Sequence, residues 1–150
     1  MAFSLTLTWT GQFTGNNSKD HLIEFGSGQT LEGSAAADYL GADDRVNPEE
    51  SLLAALSSCH MLSFLTIANK MRLNVVSYHD SCTAILGCNE QGRTAITQIT
   101  LAPQITFERP EQLTEQRLAK MHALAHKNCF IANSLSKDIL ITLNHIPFDS

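Results

Sequence analysis

The sequence predicts an α+β fold, with helices packed on antiparallel sheets. Three observations predict it. The first third alternates apolar and polar residues and is punctuated by glycine-rich turns. An uncharged, apolar segment then follows a strong helix start at Asn47. After that segment the β pattern returns, and an amphipathic helix and one more apolar run close the chain.

Taken in order, Phe3, Leu5, Leu7 and Trp9 alternate with Ser4, Thr6, Thr8 and Thr10, the period of a half-buried strand. Gly15, Asn16, Asn17 and Ser18 are turn chemistry. Residues 21–25 read as a second strand, and Gly26-Ser27-Gly28 turns the chain into a third near residues 30–32. Residues 35–40 read as a short helix.

At Asn47-Pro48-Glu49-Glu50 the signals for a helix start coincide. Asn47 can cap, proline suits the first helical position, and two carboxylates face the positive end of the helix dipole. The helix is expected to run to about Met71, roughly 36 Å at the helical rise. Leu52, Leu53, Leu56, Met61, Leu62, Phe64, Leu65 and Ile67 make it apolar on more than one side. A helix of that kind must be surrounded, which one small domain does poorly, so a dimer is expected.

Residues 75–86 then read as one strand, Asn89 to Gly92 as a hairpin turn, and residues 93–107 as one long returning strand with Pro103 at a bulge or edge. Residues 110–127 form a charged amphipathic helix whose buried stripe is Leu113, Leu118, Met121 and Leu124 or Ala125. Asn128-Cys129 opens a further helical turn through Ser134, and residues 138–143 are a last strand. No repeat or linker divides the 150 residues, so a single domain over residues 1–150 is expected.

The formal net charge of -5 excludes a general nucleic-acid or anionic-membrane binder, since both need basic surface. The start of the chain has neither the basic region nor the continuous apolar block of a targeting segment. Residues 51–69 hold no Asp, Glu, Lys or Arg, but they include Ser51, Ser57, Ser58, Cys59, His60 and Ser63, which suits a buried helix of a soluble protein better than a lipid span. A cytoplasmic protein without membrane partners is expected.

Four cysteines are present, Cys59, Cys82, Cys88 and Cys129, and none forms a C-x-x-C pair. Cys59 lies mid-helix among small polar residues, an odd setting for a cysteine that only packs. Cys129 follows a helix boundary in His126-Lys127-Asn128-Cys129-Phe130. Two such thiols can run a peroxide cycle: the first becomes a sulfenic acid and the second condenses with it to a disulfide. The first must react as thiolate, so a nearby cation or hydrogen-bond donors are required. His122, His126 and Cys129, with Cys59, could instead hold zinc, or the two histidines could simply answer the C-terminal dipole of their helix. Cys82 and Cys88 are read as packing residues. Trp9 and Phe13 line either a substrate cleft or a packing surface.

Residues 47–62, Asn47-Pro48-Glu49-Glu50-Ser51-Leu52-Leu53-Ala54-Ala55-Leu56-Ser57-Ser58-Cys59-His60-Met61-Leu62, resemble the central-helix motif of the OsmC/Ohr family, the osmotically inducible and organic hydroperoxide resistance proteins. Cys129-Phe130-Ile131-Ala132-Asn133-Ser134 resembles the motif around that family's second cysteine. Ser18-Lys19-Asp20-His21 and Val75-Val76-Ser77-Tyr78 fit its OsmC-like branch. The resemblance implies an intertwined homodimer with two long central helices between sheets and with active sites shared by the two copies. It implies that Cys59 is peroxidatic and Cys129 resolving, and that organic hydroperoxides are the substrates. It further implies a lipoylated protein or small dithiol as reductant, with no metal or flavin cofactor. A binding protein for an apolar or lipid-like ligand on the same dimeric scaffold is the alternative.

Glu49 matches the family's catalytic glutamate. It lies about 15 Å of helical rise from Cys59, so it would have to act from the partner chain or across a broken helix. The family's N-terminal arginine is missing, because no arginine precedes Arg45. Lys19 stands in its place and keeps the charge without the planar fork, and Arg45 is the other candidate. His60 points about 100° away from Cys59 on the helix and is expected to hydrogen-bond inside the dimer.

Overall fold

The structure is a computed structural model, and it describes residues 1–9, 11 and 18–148. Phe13 and the expected turn at Gly15, Asn16 and Asn17 lie outside the described residues. The chain clusters into two compact units, Met1–Leu52 and Leu53–Ser150.

In the first unit, β1 (Leu5–Thr8), β2 (His21–Phe25) and β3 (Thr30–Gly33) form an antiparallel sheet in that order. β1 is shorter than the alternation suggests, and all four of its residues are exposed, Leu5 and Leu7 included. Ser34 is fully buried just after β3: its hydroxyl donates to Asp20 at 2.9 Å and accepts the Ala42 N–H at 3.1 Å. Residues 35–40 contain only a single 3-10 turn, Ala37–Tyr39. Gly41 ends this stretch of chain, because a Cβ there would lie 1.7 Å from the Ala35 carbonyl oxygen.

Helix α1 (Pro48–Lys70) starts as its sequence dictates. The Asn47 side chain accepts the Glu50 N–H at 2.8 Å, and the Glu50 carboxylate accepts the Asn47 N–H at 3.1 Å, a reciprocal capping box. The helix is long and apolar enough to cross a membrane by length and composition, with 28% of its apolar window buried.

The remainder of α1 belongs to the second unit, where two strands expected to be continuous are each broken. Residues 75–86 divide into β4 (Val75–Asp80) and β5 (Thr83–Cys88); residues 93–107 divide into β6 (Thr94–Leu101) and β7 (Pro103–Phe107). The halves enter different sheets, β4 with β7 and β5 with β6. The reason is a side chain: Asp80, the last residue of β4, accepts the Ala102 N–H at 2.7 Å and takes that donor out of the ladder. Pro103 follows as the first residue of β7, where its missing N–H costs nothing.

Helix α2 (Glu115–Asn128) begins later than the charge pattern suggests. Pro110–Gln112 is a 3-10 turn, and Thr114 caps α2 by accepting the Arg117 N–H at 3.1 Å. Its buried residues are Met121, His122 and Ala125, so Ala125 and not Leu124 completes the stripe. A short helix, α3 (Phe130–Ser134), follows. β8 (Leu140–Leu143) then pairs with β6 in parallel, a departure from the otherwise antiparallel strand ladders. A tight turn at Asn144 and His145, with φ of 48° and 67°, adds β9 (Ile146–Pro147).

Two apolar clusters hold this unit. One joins Phe64, Ile67 and Ala68 of α1 to Leu73, Phe107, Met121 and Ala125. The other joins Leu56 of α1 to Ile99, Leu101 and Cys129. α1 and α2 are therefore held side by side, with the start of α3 packed near the middle of α1.

Candidate functional site

Cys129 ends α2 and caps α3 at once: its N–H donates to the His126 carbonyl at 3.2 Å, and its sulfur accepts the Ala132 N–H at 3.4 Å. It is fully buried. Cys59, one helical turn beyond Leu56 on α1, packs against the same cluster and is half-buried. The two side chains pack in one cluster, and neither cysteine is in a disulfide. Burial pushes the Cys129 thiol up to about 11, the neighbouring Cys59 adds to the rise, and the N–H groups of Ala132 and Ile131 oppose it. Cys129 therefore keeps its proton near neutral pH. The two cysteines singled out from the sequence, 70 positions apart (129 − 59), meet in one unit.

Cys59 also opens onto a groove of about 570 Å³. One wall is a stripe of α1: Cys59, Leu62, Ser63, Thr66, Ile67 and Lys70. The other comprises Lys127, Asn128, Phe130 and Asn133 from the α2–α3 junction. One sulfur is thus closed off and the other accessible.

Behind this pair lies an imidazole cluster that the spacing of the histidines in the sequence does not disclose. His60 is fully buried, and its Nε2 lies 3.1 Å from Nδ1 of His122. This bond lies within one chain. His60 Nδ1 is buried without a hydrogen-bond partner. The tautomer that leaves an acceptor there, not a stranded donor, has His60 Nε2–H donating to His122. Phe64 stacks on His122 with ring centres 4.4 Å apart, and Phe148 stacks on His126 at 4.0 Å. Burial, then the charges of His122 and His126, lower His60 from 6.5 to about 3. Burial lowers His122 to about 4, against the pull of Asp80. The zinc alternative finds no ligand set: among the described residues no three of His, Cys, Asp and Glu group as a metal site.

This cluster sets a pH dependence of stability. Both imidazoles are neutral when folded and would take up protons near 6.5 when unfolded, so acid favours the unfolded chain. The stabilisation is present above pH 6.5 and is lost as pH falls toward the folded values of about 4 and about 3. From pH 7 to pH 5 the loss is expected to be about 2 kcal/mol per imidazole, read as a falling urea midpoint. The H60F/H122F protein should show a flatter profile over that interval.

Asp80 ties the site to the sheets. Besides Ala102 it accepts the Ser57 hydroxyl of α1 at 2.5 Å, two residues before Cys59. Cys82, half-buried on the same cluster, is pushed up to about 11 by burial and then by Asp80. Cys88 is exposed, against the packing expectation, because a bulge between Ile85 and Leu86 shifts the alternation along β5.

Glu49 and Lys19 belong to the first unit. Lys19 lines a pocket of about 470 Å³ with Trp9, His21 and Pro48. Oε2 of Glu49 is buried without a hydrogen-bond partner. Arg45 is committed to two carboxylates, Asp20 at 3.1 Å and Glu32 at 3.4 Å.

Residues 41–144 match the family model described as OsmC-like protein. No curated protein matches the chain. Among solved structures, an OsmC-like protein of unknown function from Vibrio cholerae shares 42% identity over 95% of this chain and 97% of its own, with a TM-score of 0.88. An organic hydroperoxide resistance protein OsmC from Legionella pneumophila is similar in fold at 17% identity, TM-score 0.73, covering 95% of each chain. An organic hydroperoxide resistance protein from Elizabethkingia anophelis gives 18% identity and a TM-score of 0.74, again over 95% of each. The family model spans well over half the sequence, and the chain belongs to the OsmC-like protein family.

Proposed function

We propose that the protein is a thiol-dependent peroxidase that reduces organic hydroperoxides. The observation that carries this reading is the packing of Cys59 and Cys129 in one cluster, one open to a groove and one buried. The Cys59 thiolate attacks the terminal oxygen of the hydroperoxide, and the O–O bond breaks. Cys59 becomes a sulfenic acid, and the alkoxide takes a proton to leave as an alcohol. The Cys129 thiol condenses with the sulfenic acid, water is lost, and a disulfide forms. An external dithiol, free or lipoyl-borne, reduces it in two exchanges and is itself oxidised to a disulfide. The protein's own residues need no further cofactor for this cycle, which suits the reducing cytoplasm.

A second copy of the chain completes the site in this reading. It covers the apolar side chains of α1 that one chain leaves open, Leu62 among them. It also supplies Glu49 and Lys19. Two facts support this: Glu49 lies about 15 Å along the helix from Cys59, and its buried oxygen finds no partner among the described residues. Together Glu49 and Lys19 would fix the peroxide and its developing charge.

The test is oxidation of a dithiol in the presence of cumene hydroperoxide, tert-butyl hydroperoxide or hydrogen peroxide. Turnover should be at least about tenfold faster with the organic peroxides, the equivalent of about 1.4 kcal/mol in the barrier. A rate no higher than that of the dithiol and peroxide alone would overturn the reading.

A further inference from the structure

Helix α1 ends on a residue that the local geometry disfavours. The Leu73 N–H donates to the Ala68 carbonyl at 2.9 Å, and the Arg72 N–H to the Asn69 carbonyl at 3.0 Å. The two bonds make a Schellman cap, with Leu73 in the same apolar cluster as Ile67 and Ala68. The cap sets Arg72 in the left-handed region, at φ 57°. Glycine takes that position most readily, because it has no Cβ to crowd the carbonyl. The chain thus carries an arginine where glycine would be more stable.

Arg72 lines a small cavity of about 110 Å³, room for several waters. Arg109 lines it too, over the buried side chains of Leu73 and Phe107. Backbone pairing brings the two arginines together. Val75 pairs with Phe107 across the β4–β7 ladder, and the Glu108 N–H donates to the Asn74 carbonyl at 2.9 Å. The next step of that register sets Arg109 opposite Leu73, beside Arg72. The wall that carries Arg109 is braced: the Gln112 N–H donates to the Arg109 carbonyl at 3.2 Å, and Arg117 Nη1 donates to the Gln112 carbonyl at 2.8 Å. Among the described residues, the guanidinium groups of Arg72 and Arg109 have neither an ion pair nor a hydrogen bond, whereas Arg45 is held by Asp20 and Glu32. Glu108 lines the cavity as well; its Oε2 accepts from Asn74 Nδ2 at 3.0 Å, which leaves Oε1 as an acceptor.

We propose that this cavity is a binding site for inorganic phosphate, with Arg72 and Arg109 on the phosphate oxygens and Glu108 accepting the proton that phosphate keeps at neutral pH. Guanidinium forks match pairs of oxyanion oxygens. The carboxylate supplies the selectivity. Sulfate has no proton to donate, and a phosphate monoester has lost its second proton above about pH 6, so both meet Glu108 as charge against charge. The cavity shares no lining residue with the groove at Cys59, and the proposal does not depend on the peroxidase reading.

The test is NMR of the nitrogen-15-labelled full chain, following the arginine Nε–H signals during titration with sodium phosphate at about pH 7 and constant ionic strength. Saturable shifts are expected at Arg72 and Arg109, with Arg45 unmoved. Phosphate should bind about fivefold more tightly than sulfate or methyl phosphate, and Glu108→Gln should bring the three together. Arg72→Gly should raise the urea midpoint measured without phosphate, yet weaken phosphate binding at least about fivefold. Arg109→Gln should weaken binding as much without raising the midpoint. Shifts that never saturate would overturn the site, as would equal affinities for phosphate and sulfate in the parent chain or phosphate binding that survives Arg72→Gly. A lowered midpoint for Arg72→Gly would also overturn it, because Arg72 would then belong to the stability of the cap.

Discussion

Replacing Cys59 by serine is expected to lower dithiol-dependent consumption of organic hydroperoxide on the order of a thousandfold or more. Serine keeps the size of the side chain but removes the sulfur that can ionise and accept oxygen. Cys129→Ser should behave differently. Cys129 is buried and holds its proton firmly, so it is poorly suited to meet peroxide first. Its loss should leave the first oxidation of Cys59 intact, visible as one sulfenic acid per chain trapped by dimedone. Sustained turnover with a dithiol should slow, because sulfenic acid that finds no second thiol is exposed to further oxidation. Cys82→Ser and Cys88→Ser should change neither step. Equal losses on replacing any of the four cysteines would point to a structural effect instead.

The second large effect is on stability. Asp80→Ala is expected to destabilise the chain by about 3 kcal/mol, because hydrogen bonds to a charged acceptor contribute about 1.5–3 kcal/mol each. The change removes the shared acceptor of Ser57 on α1 and of Ala102 at the strand break. Ser57→Ala removes one of those bonds and should cost about half as much. The two changes should be less than additive, since both act on one carboxylate. Urea denaturation of the two single variants and the double variant gives the coupling directly. An Asp80→Ala protein as stable as the parent would show that the break between β6 and β7 does not depend on this side chain.

Much of the fold was legible because local signals are strong where they occur. The Asn47-Pro48-Glu49-Glu50 start gave α1 its first residue, and the structure returns the reciprocal cap. The two cysteine motifs led to two residues that pack in one apolar cluster. What was missed depends on contacts between residues distant in sequence. Asp80-Ser81 and Pro103 mark the breaks locally, but nothing nearby announces that β4 and β5, or β6 and β7, enter different sheets. The break is made by Asp80 reaching Ala102, 22 positions away. The bond between His60 and His122 spans 62 positions, and each residue alone reads as a polar residue on an apolar helix.

The central claim is that Cys59 and Cys129 of the same chain exchange a sulfenic acid for a disulfide. Peptide mapping by mass spectrometry after one equivalent of cumene hydroperoxide tests it most directly. The account predicts a single cross-link joining the peptides that hold Cys59 and Cys129, reversible by dithiol, with Cys82 and Cys88 still free. A Cys59 that stays reduced, or that is oxidised without ever joining Cys129, would contradict it.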